Sequence, residues 1–146
     1  MSDLEFSIVI VTYRGTTQLR ELYESLETAL TAVPRSSFEV ITIVNGAAPS
    51  LETTLADFST RDGWQVVRLR EATSPPQARN YGLKQASGKW IVYLDDDILL
   101  PAHYFSALLK AAARQPNASV IGGPNLNHYR TRQAKFAASS VDPLPR

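Results

Sequence analysis

The chain has 146 residues, of which 44% are hydrophobic and 20% charged, a net charge of +1 and no cysteine. That length suits one domain with a real core, and the near-neutral balance supplies no global field for nucleic acid or an acidic membrane. The missing cysteines exclude a disulfide framework, a thiolate metal site and a cysteine nucleophile, and no apolar run approaches the ~20 residues that span a bilayer.

The first element comes at once, with no signal-peptide pattern before it. Phe6 to Tyr13, FSIVIVTY, is a near-continuous β-branched run and predicts a central strand. Leu19, Leu22, Tyr23, Leu26 and Leu30 then recur at helical spacing, ending before Pro34. Phe38 to Val44 predicts a second strand closed by the turn pair Asn45-Gly46, and Pro49-Ser50 opens a short helix over Leu51 to Phe58. Trp64 to Leu69 has the mixed polarity of a strand nearer the sheet edge.

Ser74-Pro75-Pro76-Gln77 reads as a capping box, with prolines where no amide partner exists. The helix it opens is expected to run to Ser87, with Gly88 as a left-handed cap. Trp90 to Leu94 is apolar without a break, which predicts a strand buried on both faces. Asp95, Asp96 and Asp97 follow directly. Pro101 starts a further helix that carries Phe105, Leu108, Leu109 and Ala112 on one face until Pro116. Ser119 to Ile121 predicts a short fifth strand, broken by Gly122-Gly123-Pro124-Asn125, and only a weak helical hint over Gln133 to Ser139 follows.

Alternating strand and helix means a parallel sheet with right-handed crossovers. If the two most apolar strands, one and four, form the central pair, the chain steps outward through strands two and three and then returns. That makes a topological switch point, and ligands bind there, outside the carboxyl ends of the strands. Thr12, Tyr13, Asn45 and Asp95 to Asp97 all fall at such ends.

Carboxylates crowded at a strand end repel one another, and a divalent cation removes that cost; Mg²⁺ or Mn²⁺ takes such oxygens together with substrate phosphates. The plain alternative is a solvated acidic turn beginning a helix. The segment after strand one has a single glycine, Gly15, and there is no Walker lysine, so neither a dinucleotide fingerprint nor a P-loop is present. His103 and His128 lack metal-ligand spacing and read as surface or helix-start histidines. Arg130, Arg132 and Lys135 read as a loose basic tail, and Trp64 and Trp90 as packing residues. A cation held by aspartates, with a helix start and arginines nearby, describes a nucleotide diphosphate better than any other common ligand.

FSIVIVTYRG, FEVITIVNGA, SPPQARNYGLKQASGKWIVYLDDD and SVIGGPN, in that order and spacing, resemble the family-2 glycosyltransferases over Phe6 to Asn125. The resemblance implies an inverting enzyme of the GT-A fold, a Rossmann-like, nucleotide-diphospho-sugar transferase, with a three-layer α/β/α sandwich and a mostly parallel sheet. It implies roles residue by residue. Thr12 and Tyr13 would wall the base and Asn45 would hydrogen-bond it. Arg79 and Asn80 would lie beside the nucleotide and its phosphates, with Arg79 either touching phosphate or bracing the aspartates. Within the D-x-D signature, Asp95 would reach the ribose and share the metal with Asp97, and Asp96 would support them. Mg²⁺ or Mn²⁺ is the implied cofactor. The partners are a nucleotide-diphosphate sugar donor and a carbohydrate or lipid-linked acceptor, as in polysaccharide biosynthesis, with no nucleic acid.

Two features depart from the family pattern. Val44-Asn45-Gly46 stands where the family often has Asp-Asp-Gly, which leaves base preference open, and two prolines replace small residues at the capping box. Family members also normally continue well past strand five into an acceptor site that carries the catalytic base. The expected organisation is therefore a donor-binding domain over residues 1–125, truncated after strand five, with 126–146 starting an acceptor-side region or tail, and no catalytic base assigned. Two rivals stand beside it. One is a non-catalytic nucleotide-binding fragment. The other is a haloacid-dehalogenase-like phosphatase with Asp95 as nucleophile, although that motif normally follows the first strand. The expected location is cytoplasmic, peripheral at the inner face of a membrane in a full-length protein. An unfinished sheet with an open edge invites a homo-oligomer.

Overall fold

The computed structural model describes residues 4–13, 16–124 and 126. Its regular elements are β1 (Phe6–Thr12), α1 (Thr16–Leu30), β2 (Phe38–Asn45), α2 (Glu52–Ser59), β3 (Trp64–Leu69), α3 (Pro75–Gln85), β4 (Trp90–Asp95) and α4 (Tyr104–Arg114). Among the described residues the strands form one sheet in the order β3-β2-β1-β4, and every adjacent pair is parallel. The chain steps outward from β1 to β3 and then returns to the other side of β1, so the switch point lies between β1 and β4.

Strand alternation builds the layers. Phe6, Ile8 and Ile10 of β1 point to one face, where Leu19, Leu22, Tyr23 and Leu26 of α1 meet them, together with Leu55 of α2 and Phe105 of α4. Each of the three α1 leucines is fully buried and contributes about 1.5–3 kcal/mol. Val9, Ile41 and Ile43 point to the opposite face against Ala78 of α3. The result is the expected α/β/α sandwich.

Tyr23 carries a polar tip into this core, and its hydroxyl lies 2.5 Å from Thr42 Oγ1 on β2. Burial pushes its pKa up to about 12, so the pair is a neutral hydrogen bond. Tyr23→Phe strands the buried Thr42 hydroxyl, and unfolding in urea is expected to show a loss of about 1–3 kcal/mol. An unchanged denaturation midpoint would contradict the pairing.

Three expectations are corrected. Ser119 to Ile121 forms no strand: Val120 is 87% exposed and no sheet partner reaches the segment. Among the described residues the sheet therefore ends at β4 rather than at a fifth strand, and β1 pairs centrally with β2. Being at the edge, β4 is not buried on both faces. Val92 and Leu94 are inside, but Tyr93 is 43% exposed because α3 covers β1 and β2 and leaves much of β4 bare.

Gly88 is the third correction. Helix α3 stops at Gln85 through an extended Ala86, and Gly46 and Gly63 are the positive-φ residues among those described. Gly88 is instead a point of close approach, where a Cβ would stand 2.5 Å from Ser7 N and 2.6 Å from the Phe6 carbonyl carbon. The helical hint over Gln133 to Ser139, together with His128, Arg130, Arg132 and Lys135, lies outside the described residues.

Candidate functional site

The parallel register brings the carboxyl ends together. Thr12 sits beside Val44, Asn45 beside Leu69, and Val11 beside Asp95. One step beyond the last pair, the register sets Thr12 next to Asp96. Adjacent strands lie about 4.8 Å apart, so the rim from β2 across β1 to β4 spans about 10 Å, a distance that suits a nucleoside. Tyr13, 52% exposed, stands at the middle of that rim.

Alternation also separates the three aspartates. Asp95 continues the face covered by α3, and there Arg79 Nη2 donates to its Oδ1 at 2.8 Å. Both partners are well exposed, so the pair adds at most about 1 kcal/mol of stability. Its consequence is positional, because it turns the Asp95 carboxylate toward α3. Of the two roles expected for Arg79, bracing an aspartate is the one seen.

Asp96 continues the opposite face and is half-buried. Burial pushes its pKa up, the Thr12 hydroxyl draws it back down, and the charges of Asp97 and Asp95 push it up again. Thr12 is fully buried, so its side chain lies beneath the crevice and does not wall it. The hydroxyl is close enough to favour the Asp96 carboxylate but makes no full hydrogen bond to it. Asp97 is exposed, and no ion pair engages it among the described residues. Past the turn, the backbone N–H of Leu100 donates to Ser25 Oγ of α1 at 3.1 Å, which anchors the exit of the acidic segment.

Asn45 is buried and already engaged. Its Nδ2 donates to Thr73 O, and its Oδ1 accepts from Thr73 N, both at 2.8 Å. This two-point clasp ties the end of β2 to the loop that enters α3. Gly46, at φ +95°, makes the turn that follows, with Ala72 packed against it. One proton and one lone pair on the amide remain for a ligand. The capping box closes as expected, with Gln77 Oε1 accepting from Ser74 Oγ at 2.9 Å and from Ser74 N at 3.3 Å. Asn80 lies half a turn round α3 from Ala78, which faces the sheet, and is exposed on the outer side. No described hydrogen bond joins it to the acidic turn.

Sequence reading passed over Thr73 and Ser25. Thr73 acts through its own backbone on the Asn45 side chain, Ser25 acts on the backbone of Leu100, both across long stretches of chain, and neither carries a motif that marks it. The described residues also contain no group of three or more His, Asp or Glu side chains able to hold a metal by themselves. A groove of about 680 Å³ runs along the open side of β4 between Trp90, Tyr93, Tyr104, Leu108 and Ile121, and the acidic turn is not part of it.

The family model described as glycosyl transferase family 2 matches residues 7–138. The chain belongs to glycosyl transferase family 2. The uncharacterized glycosyltransferase YwdF of Bacillus subtilis is 38% identical over 101 residues, which is 68% of this chain and 35% of that protein. Two solved structures share the fold. Staphylococcus aureus TarS 1-349 in complex with UDP-GlcNAc superposes with a TM-score of 0.65 at 23% identity, over 84% of this chain and 37% of that one. The mannosyltransferase PcManGT of Pyrobaculum calidifontis, in complex with GDP-Man and Mn2+, gives 0.66 at 19% identity, over 81% and 34%. The family 2 chain spans between 14% and 45% of the curated relatives it matches. Family membership removes the phosphatase alternative, in which the acidic motif would follow the first strand.

Proposed function

We propose that this chain is the donor-binding part of a glycosyltransferase, holding a nucleotide-diphosphate sugar at the β1–β4 switch point for transfer to an acceptor hydroxyl with inversion. The observation that carries the reading is the splitting of the acidic turn in a family 2 chain: Asp95 is held by Arg79, Asp96 is half-buried, and Asp97 is exposed with no ion pair among the described residues. The donor-binding domain would be residues 1–125, and 126–146 would start an acceptor-side region or tail.

The residues fit a divalent cation. Carboxylate oxygens are hard ligands, and Mg²⁺ or Mn²⁺ commonly takes only one or two of them, completing its shell with phosphates and water. Asp97 would hold it, together with the Asp95 oxygen that the Arg79 pair does not use, which is compatible with the absence of a three-ligand cluster among the described residues. When bound, the cation supplies Lewis-acid neutralisation of the departing diphosphate. Tyr13 offers a ring to the base, and the remaining valences of Asn45 lie at the same rim. In the transfer, the acceptor oxygen forms a bond to the anomeric carbon, the bond from that carbon to the diphosphate oxygen breaks, and the nucleoside diphosphate departs. The acceptor proton passes to a base outside the described residues.

No helix among the described residues is long and apolar enough to cross a membrane. As a separate part of the proposal, the protein would work in the cytoplasm, peripheral at the inner face of a membrane in a full-length protein. Among the described residues the edge of β4 is open, and a second copy or further chain would pair there.

Titration calorimetry with UDP, GDP and ADP, each with and without Mn²⁺, tests the proposal. Metal-dependent binding of at least one is expected, and its absence for all three in a folded sample would falsify the donor site. Donor binding without any hydrolysis or transfer would assign the chain to a passive nucleotide-binding module.

A further inference from the structure

Thr12 Oγ1 and Trp90 Nε1 are the two buried side-chain polar atoms among the described residues that have no hydrogen-bond partner. Buried polar groups are nearly always paired, so each such atom calls for an account. Trp90 lines the open groove beside β4. Thr12 sits at the end of the central strand and is fully buried.

Its surroundings name the missing partner. The β1–β4 register, continued one step past Val11 and Asp95, sets Thr12 beside Asp96. Alternation places both on the face of α1, after Ile10 and Leu94. Asp96 is half-buried between two exposed carboxylates. A carboxylate withdrawn from water needs a donor. The turn is held on the α3 face by Arg79 and at its exit by Ser25. On the α1 face, Thr12 is a buried donor in position to hold it, the Tyr23 hydroxyl there being already paired with Thr42.

We infer that Thr12 is a positioning residue that donates its hydroxyl to Asp96 when the acidic turn is loaded, and so aims Asp97 into the crevice. The inference rests on the donor-site reading and deepens it: Thr12 serves the cation site from below and makes no side-chain contact with the base. Without the hydroxyl, Asp96 swings toward water. A turn that rotates about Asp96 carries Asp97 with it.

Thr12→Val keeps the shape and removes the donor, whereas Thr12→Ser keeps the donor. Calorimetry with UDP, or GDP if the panel selects it, is run with and without Mn²⁺. The valine variant is expected to lose about tenfold in Mn²⁺-dependent affinity, the scale for removing a partner that orients a metal ligand. Metal-free binding should be unchanged, and serine should restore the affinity. The double variant Thr12→Val with Asp96→Asn should bind no worse than Asp96→Asn alone, since the two residues act through one contact. Thr12→Ala stands in with the same expectations if the valine variant does not fold. Additive losses, or a valine variant that binds Mn²⁺ and nucleotide like the parent, overturn the role of Thr12 and leave the donor site standing. A parent chain that shows no Mn²⁺-dependent binding overturns the donor site itself.

Discussion

Asp97→Ala is expected to lower Mn²⁺-dependent nucleoside diphosphate affinity by about a hundredfold or more while leaving the melting temperature unchanged. The size follows from the scale of metal sites, where removing even an outer-shell partner costs about 10–100-fold, so loss of a ligand should cost no less. The choice of Asp97 follows from the fold. Strand alternation commits Asp95 to Arg79 and turns Asp96 toward Thr12. Asp97 is the carboxylate with no such commitment. The plain alternative, a helix-start carboxylate favoured by the dipole, does not hold here, because α4 begins only at Tyr104 with His103 as its N-cap. A solvated acidic side chain with no structural partner is worth within about 0.5 kcal/mol to stability, and removing one of several like charges tends to help. Calorimetry and thermal melting on the same sample separate the outcomes. Undiminished Mn²⁺-dependent binding by the alanine variant would remove Asp97 from the metal site, and a large drop in melting temperature would return it to a structural role.

What could be read from the residues divides along a physical line. β1 and β2 were legible because unbroken β-branched runs need cover on both faces, and both strands have it. The apolar run of β4 looked the same and was not, since hydrophobicity alone does not say whether a neighbouring strand or helix arrives. Ile91 and Tyr93 face a side that α3 covers only in part. Ser119 to Ile121 failed as a strand for a related reason: three residues gain sheet structure only from a partner. At the site, placement at the carboxyl ends was correct for Asn45, Tyr13 and the three aspartates, because register follows from topology. The direction of each side chain was not legible. Thr12 turned inward, and Asn45 spent its first hydrogen bonds on Thr73, a partner fixed by a loop whose path no local pattern reveals.

Gly88 shows the same limit and leads to the largest expected effect on stability. A glycine after a helix ordinarily signals a left-handed cap, and alanine there would be a modest strain. Here an added Cβ would lie 2.5 Å from Ser7 N, 2.6 Å from the Phe6 carbonyl carbon and 2.8 Å from Ser7 Oγ. Two of these are backbone atoms of β1, whose Phe6 is registered to Phe38 on one side and Trp90 on the other. Neither can withdraw without disturbing both pairings. The intrusion also opens a polar clasp: Gly88 N donates to Ser7 Oγ at 2.7 Å, and Ser7 Oγ donates to Glu39 Oε1 at 2.6 Å. Ser87 N also donates to Glu39 Oε1, at 2.8 Å. Overpacking costs about 1–3 kcal/mol, and a disrupted, partly buried hydrogen bond adds about 1–3 more. Gly88→Ala should therefore lose about 3 kcal/mol or more, seen as a fall of about 10 °C in melting temperature. Gly82 provides the comparison. A Cβ there would stand 2.3 Å from Cγ1 of the buried Val9, so Gly82→Ala also clashes, but with a stiff β-branched side chain of β1 rather than with its backbone. Because Gly88 lies at the amino end of the sheet, opposite the acidic turn, whatever fraction of Gly88→Ala remains folded should bind Mn²⁺ and nucleotide with parental affinity. A melting temperature within a degree or two of the parent would mean that β1 yields here, and that Gly88 is a replaceable loop residue.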